Sequence, residues 1–451
     1  MLRQILITIG VLLLLAGETQ ALGPHELLVL ANRQSPRSLE LARTYMALRH
    51  VPAINLVELD LPPDLLEMPP DEFTRRVLSP ALTAAKQRKL AGHILAWAYS
   101  LDFPIRIATD PPLSLQGFTF LRGHLPDRDA IRNGSYASPF FAGPDNPRFQ
   151  GFPSQSLDVQ SAWMNADMPL PSMMLGFAGP HGNTTAEITA ALERGRQADG
   201  TRPGGTIYFV TNTDIRSTCR QWEFEPAVAE LRTAGISACI TNALPSLQTN
   251  VLGILCGMAD VVITSPVGFL PGAMADHLTS FGAAFDTPAQ TKISAWLRAG
   301  ATATAGTVTE PLSNWTKFPH ARYFAHLAAG CSTLEAFFQS LRCPLQTLLL
   351  GDPLASPWSS SASITFRGLE SGLHQDHQQV TITIQAPAGE SFSQFLYLLD
   401  GVPLGPKTRN TTLPLTRASI PPGHHLLRAI AYRTGSARPQ IFTEIEVVSK
   451  P

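Results

Sequence analysis

The chain has 451 residues, 44% of them hydrophobic, and a formal net charge of -1. That length exceeds one compact domain and predicts two or more. The near-zero charge excludes a protein drawn to nucleic acid or to an anionic membrane by its overall field.

Residues 1–21 read as a secretory signal peptide. A cationic Met1-Leu2-Arg3 precedes the apolar run Ile5 to Ala16, which suits a signal h-region and is short for a membrane span. Thr19-Gln20-Ala21 ends in a small residue, placing cleavage after Ala21. The mature chain is therefore expected to be exported (periplasmic, in the envelope or extracellular) with no further membrane span. An oxidising compartment permits disulfides. The five cysteines are an odd number, so at least one thiol stays unpaired within the chain. Cys331 with Cys343, and Cys219 with Cys239, are the local candidate bridges.

Glu26 to Ala31 reads as a buried first strand. Ser35-Pro36 then opens a helix over Arg37 to His50, with serine as cap and proline in the first turn. Asn55 to Leu59 is the next strand, Asp71 to about Lys89 a helix, His93 to Tyr99 a third strand. Thr109 to Pro171 is rich in Pro, Gly, Asn and Asp, and is expected to be a functional lid or an insertion. Order returns with a strand at Ser172 to Phe177, a helix at Thr185 to Ala198 and a strand at Thr206 to Thr211. A helix at Pro226 to Ala234 and a strand at Ile236 to Thr241 follow. Then comes Val251 to Ala284, two apolar runs that end in small or polar residues, as strands feeding the edge of a parallel sheet do. Helices at Ala289 to Ala299, Tyr323 to Ala329 and Ser332 to Ser340 surround a strand at Ala301 to Val308. Thr347 to Leu350 is a last buried strand. Strands alternating with helices predict an α/β, doubly wound, mostly parallel sheet over residues 22–356.

Pro357 to Ala362 reads as a linker open to proteolysis near Ser359 to Ser361, separating units that fold independently. Beyond it, over 363–451, the period changes to two. Val380, Ile382 and Ile384 alternate with Thr381, Thr383 and Gln385, and turn dipeptides such as Asp400-Gly401 recur. This predicts a small all-β, immunoglobulin-like sandwich.

Cys256 and His277 are the Cys and His of the central stretch, and a thiolate–imidazole pair would make a nucleophile if the side chains touch. The same residues also read as a buried cysteine and a structural histidine. Asp102, Asp276, Glu310 and Asp352 each follow or end an apolar run, where a parallel sheet gathers functional side chains, so they form a candidate pocket. Taken singly, each also fits turn or cap chemistry. No spacing of Cys and His suggests a metal, and no motif implies a cofactor.

The segments VLANRQSPRSLELARTYMALRHVPAINLV, WAYSLDFPIRI, FLPGAMADHLTSFGA, AGTVTEP and LLLGDPLASP resemble an uncharacterised family of exported bacterial proteins. The order of elements is similar to the gingipain-type cysteine peptidases, a branch of the caspase-like fold. Gly351-Asp352-Pro353 and the C-terminal sandwich match that pattern. The resemblance implies a caspase-like (gingipain-like) domain with a catalytic His turn and a nucleophilic Cys at two adjacent strand ends. This chain has Ile263-Thr264-Ser265-Pro266 at the first and Thr279-Ser280-Phe281-Gly282 at the second. The expectation is therefore a pseudoenzyme that binds or scaffolds, its partner an extracytoplasmic protein or a glycan. The alternative is a peptidase-like hydrolase with a displaced nucleophile, Cys256 or Ser280, and His277 as base. On a regular strand, residues three apart face opposite sides, so Ser280 needs a bulge or a strand end to reach His277.

Overall fold

The computed structural model describes residues 19–20, 22–144, 154–162, 168–263, 267–369, 377–416 and 419–449. The expected signal peptide, apart from Thr19-Gln20, lies outside them.

Ten strands form one sheet: β1 Leu27–Asn32, β2 Leu56–Leu59, β3 Ala96–Tyr99, β4 Ser172–Met174, β5 Thr206–Val210, β6 Ser237–Thr241, β7 Val251–Gly257, β8 Phe269–Leu278, β9 Ala303–Thr307 and β10 Thr347–Gly351. Their spatial order is β6-β5-β7-β8-β9-β10-β4-β3-β1-β2. Every neighbouring pair is parallel except β9 with β10. The sheet is thus two parallel halves of five strands, joined edge to edge in opposite directions. Within each half, strands counted in chain order lie 2-1-3-4-5, the order of a doubly wound sheet. The central strands β1, β3, β9 and β10 are buried at every residue, as strands covered on both faces are.

The two halves also share a turn. After the first strand of half one, the amide N–H of Asn32 donates to Ser38 Oγ (3.0 Å) and its side-chain oxygen accepts from Gln34 N–H (3.1 Å). Its Nδ2 donates to the Asp102 carbonyl beyond β3 (3.0 Å). In half two, Asn212 repeats all three bonds: to Ser217 Oγ (3.0 Å), from Asp214 N–H (2.8 Å), and to the Gly257 carbonyl ending β7 (3.0 Å). Each asparagine bridges first to third strand, at the place where the strand order reverses.

The helices begin as their sequences dictate. Ser35 caps Pro36–Arg49 by accepting from Ser38 N–H, and His50 ends it in the left-handed conformation at φ 54°. Ser332 and Glu335 form a reciprocal capping box on Thr333–Ser340. The helix expected over Ala289 to Ala299 is shorter, Ser294–Ala299, because Gln290 takes a positive φ of 63° and breaks the turn before it. Cys331 and Cys343 lie at opposite ends of Thr333–Ser340, and all five cysteines are free, so neither proposed bridge forms.

The stretch 109–171 is no detached lid in its described part. It contributes the buried helix Leu115–Phe120, whose Phe120 stacks on Phe338 at 5.3 Å. Gln116 stands in for a strand beside β10: Nε2 donates to the Leu349 carbonyl (2.8 Å) and Oε1 accepts from Leu349 N–H (2.7 Å).

The C-terminal residues form two antiparallel sheets. One is β11 Ser363–Arg367, β12 His377–Gln385 and β15 Thr412–Thr416. The other is β13 Phe392–Leu399, β14 Val402–Pro403, β16 Gly423–Arg433 and β17 Gln440–Ser449, with Thr19–Gln20 paired to the start of β17. Ile364, Ile382, Phe395, Ala429 and Ile441 pack into one core, and Val380, Leu415, Leu427 and Val447 into another.

Contacts across the boundary are many, contrary to the expected open linker. Ser359 and Ser360 are buried, leaving Ser361 exposed between them and buried Ala362. Arg428 donates to the His50 carbonyl, Gln440 Nε2 to Glu26 (2.7 Å), and Ser156 N–H to the Ser436 carbonyl (3.0 Å). Asp158, from the inserted stretch, pairs with Lys407 of the sandwich. The change of period marks where the architecture changes but carries no information about how the two parts pack.

Candidate functional site

The antiparallel junction of β9 with β10 decides which candidates meet. C-terminal strand ends of half one face one edge of the sheet, and those of half two face the other. Asp102 and Asp352 follow strands of half one. Cys256, Asp276, His277, Ser280 and Glu310 lie at or beyond strand ends of half two. The four acidic residues therefore do not converge on one pocket. Repeated β–α–β pattern reads the same for either strand direction, so sequence alone placed them together.

Each carboxylate of half one is spent on structure. Asp102, in the left-handed region at φ 59°, accepts from Ser35 Oγ and from Arg37 Nε (2.7 Å) and Nη2 (2.5 Å). Asp352 is wholly buried, accepts from Tyr45 OH (2.9 Å) and Arg49 Nε (2.8 Å), and caps its own turn through Leu354 N–H (3.0 Å). Arg49 also pairs with Asp199. A Cβ added to Gly195 would collide with Asp352 Oδ2, so glycine lets that helix approach the pair.

On the opposite edge, β7 and β8 place Cys256 directly beside His277 in parallel register. Side chains alternate along a strand, so the pair shares one face while Asp276 points to the other. The Cys256 thiol lies 3.7 Å from the Asp276 carbonyl oxygen. Burial pushes that thiol well up, with the Asp276 charge adding to the effect. The imidazole is equally committed. Trp296 Nε1–H donates to His277 Nδ1 (2.8 Å), and His277 Nε2 lies 3.0 Å from the Thr291 carbonyl. An indole nitrogen only donates and a carbonyl only accepts, so the ring is the neutral Nε2–H tautomer. Burial holds it down to about 4, against the backbone bond to Thr291. No lone pair remains to take a proton from a nucleophile.

Asp276 cannot orient that ring. On its own face it pairs with buried Arg220 at 2.5 Å, and Arg220 Nη2 donates to the Pro319 carbonyl (3.0 Å). Burial raises the Asp276 carboxyl, opposed by Arg220. Ser280 follows the end of β8, and its carbonyl accepts from Thr307 Oγ1 (3.0 Å). Among the described residues no hydrogen bond joins Ser280 to His277. Glu310 is exposed and turns back on Leu312 N–H (2.9 Å).

The positions compared with the peptidase dyad also shift. The first central strand ends at Gly257, so Met258-Ala259-Asp260 follow it; Thr264 to Pro266 lie outside the described residues. At β8 the residues are Thr279-Ser280-Phe281, as read from sequence.

Two polar groupings escaped the sequence reading. Arg220 and Glu223 are buried near Asp276, and buried His320 lies 3.9 Å from Glu223; burial pushes Glu223 up to about 8 and His320 down to about 3. Ser154 Oγ lies 2.8 Å from His326 Nδ1, yet His326 Nε2 is buried with no partner, so no acid backs that pair. No local motif signals either group: Arg220 and Glu223 are near neighbours in the chain, but Asp276 and His320 come from distant segments, and Ser154 is 172 residues from His326. Among the described residues no group of three His, Cys, Asp or Glu is placed to hold a metal, and no helix is long and apolar enough to cross a membrane.

No protein-family model matches the chain. No curated protein matches it. Among solved structures it is similar to "Structures of Clostridium thermocellum CbhA fibronectin(III)-like modules", at 18% identity and a TM-score of 0.16, over 19% of this chain and 96% of that one. A likeness at that level carries no argument about activity.

Proposed function

We propose that the protein is an exported, non-peptidase member of the caspase-like (gingipain-like) architecture that binds or scaffolds in the envelope or outside the cell. One observation carries this reading: both ring nitrogens of His277, the imidazole beside Cys256, are engaged by Trp296 and Thr291. A general base needs a free lone pair within reach of the proton it removes. The rival, a hydrolase using Cys256 or Ser280 with His277, needs that lone pair. Broad cysteine- and serine-directed activity probes on the folded mature chain separate the two. The expected result is no labelling of Cys256 or Ser280. Stoichiometric labelling that disappears in Cys256→Ala or Ser280→Ala overturns the proposal. Export is tested separately, by N-terminal sequencing of protein recovered outside the cytoplasm; processing after Ala21 is expected.

A further inference from the structure

A cleft of about 790 Å³ opens where the N-terminal ends of β5 and β6 meet the sandwich. Its size falls within the range of small-molecule sites, and junctions between domains are a preferred place for them. The walls carry three kinds of chemistry. Arg202 and Arg433 supply cationic donors, and no carboxylate lines the cleft. Both guanidinium groups lean on one carboxylate behind it, Glu390, at 3.9 Å and 3.4 Å, which leaves one net positive charge. Arg202 remains 60% exposed and takes a positive φ of 49°, its N–H held by the Pro357 carbonyl at 2.9 Å.

The second element is acceptors. The helices Phe224–Thr233 and Tyr323–Ala328 both end at the cleft, through Ala234-Gly235 and Ala328-Ala329. Turn bonds close most of the last-turn carbonyls: Ile236 N–H to Leu231 and Gly235 N–H to Arg232 in one helix, Cys331 N–H to His326 and Gly330 N–H to Leu327 in the other. The acceptors offered to a ligand are the carbonyls just beyond them, at Ala234 and at Ala328-Ala329, where the negative helix ends favour donors. The third is the half-buried indole of Trp358, which lines one wall. A simple anion would be served by the arginines and opposed by the helix ends. An apolar ligand would satisfy neither. A sugar carrying a carboxylate matches all three: hydroxyls donate to helix-end carbonyls, the carboxylate accepts from arginine, and a ring face packs on indole.

We infer that this cleft is a binding site for an acidic saccharide. The inference does not depend on the state of Cys256 and His277, which lie at the opposite edge of the sheet.

Calorimetric titration of the full mature chain with trigalacturonate and with neutral maltotriose at low salt tests it. Saturable binding of trigalacturonate is expected, at least tenfold tighter than maltotriose. Arg202→Ala and Arg433→Ala should each weaken it about tenfold, the loss expected for one charge-assisted contact. Trp358→Phe should keep binding but remove the accompanying change in tryptophan fluorescence. No saturable binding of trigalacturonate, equal binding of the two sugars, or trigalacturonate affinity unchanged in Arg202→Ala overturns the inference. Arg202 is exposed, so that variant stays interpretable even where Arg433→Ala, which also frees Glu390, fails to fold.

Discussion

Half one and half two of the central sheet share strand order and the asparagine bridge at the switch point, but they are finished with different materials. Half one crosses between strands with helices, Pro36–Arg49 and Pro70 to Gln87, and its strand ends are tied by Asp102 to Arg37 and Asp352 to Arg49. Half two crosses with Phe224–Thr233 and the short Ser294–Ala299. The described residues of 242–250 and 258–268 form no helix, and Val251, Ile254, Cys256, Val261 and Trp296 close that face instead. The first half fixes its edge with charge, whereas the second packs its thiol and imidazole into apolar surroundings. An α/β sheet offers its strand ends for ligands; here both switch points are bridged by an asparagine amide, and the cleft lies elsewhere.

The largest effect is expected where charge is buried at the junction of the halves. Arg49→Ala leaves Asp352 and Asp199 without their guanidinium, a loss of about 3–5 kcal/mol in urea unfolding. Arg220→Ala in half two removes the guanidinium bonded to Asp276, while neighbouring Glu223 keeps its bond from Ala321 N–H, and the expected loss is about 3 kcal/mol. Equal losses would remove the distinction drawn between the halves.

Next comes pH. At the joint with the sandwich, His25 lies 3.1 Å from Tyr432 OH and stacks on His93 at 5.9 Å. Glu26, Lys407, Arg428 and Asp158 are the charged groups around them. Burial lowers both histidines, His93 to about 4. Folded pKa values below the unfolded one mean that only the unfolded chain gains protons as pH falls. Stability is therefore present above about 6.5 and falls towards 4, by up to about 1.4 kcal/mol per pH unit from His93. Glu26 acts oppositely: burial pushes it up to about 8, so its contribution declines as pH rises from about 4.5 through 8. Urea midpoints between pH 4 and 9 should trace a maximum between these limbs. His93→Asn should flatten the acid limb, and an unchanged limb would exclude His93 as its source.

The smallest effects belong to Ser280→Ala and Glu310→Gln, each within about 0.5 kcal/mol, as for exposed or loop substitutions. A loss above 2 kcal/mol at either, by the same unfolding measurement, would show an unrecognised role.

Periodicity made much of this fold legible. Ser35-Pro36 marked the first helix, and the two apolar runs after Val251 are adjacent strands that bring Cys256 beside His277. Alternation at Val380 and Ile382 marked a buried face. Strand direction at β10 was not legible, since hydrophobic runs have no polarity, and with it went the proposed acidic pocket. Trp296 and Thr291 were not legible as partners of His277. Their approach depends on the loop that turns back at Gln290, which tertiary packing sets.

The central claim is that the imidazole beside Cys256 is idle. Nitrogen-15 NMR of selectively histidine-labelled protein measures it directly, with His277→Asn supplying the assignment. The account predicts a single neutral Nε2–H tautomer for His277 that titrates near 4. Titration near the ordinary histidine value of about 6.5, or an Nδ1–H tautomer, would contradict it.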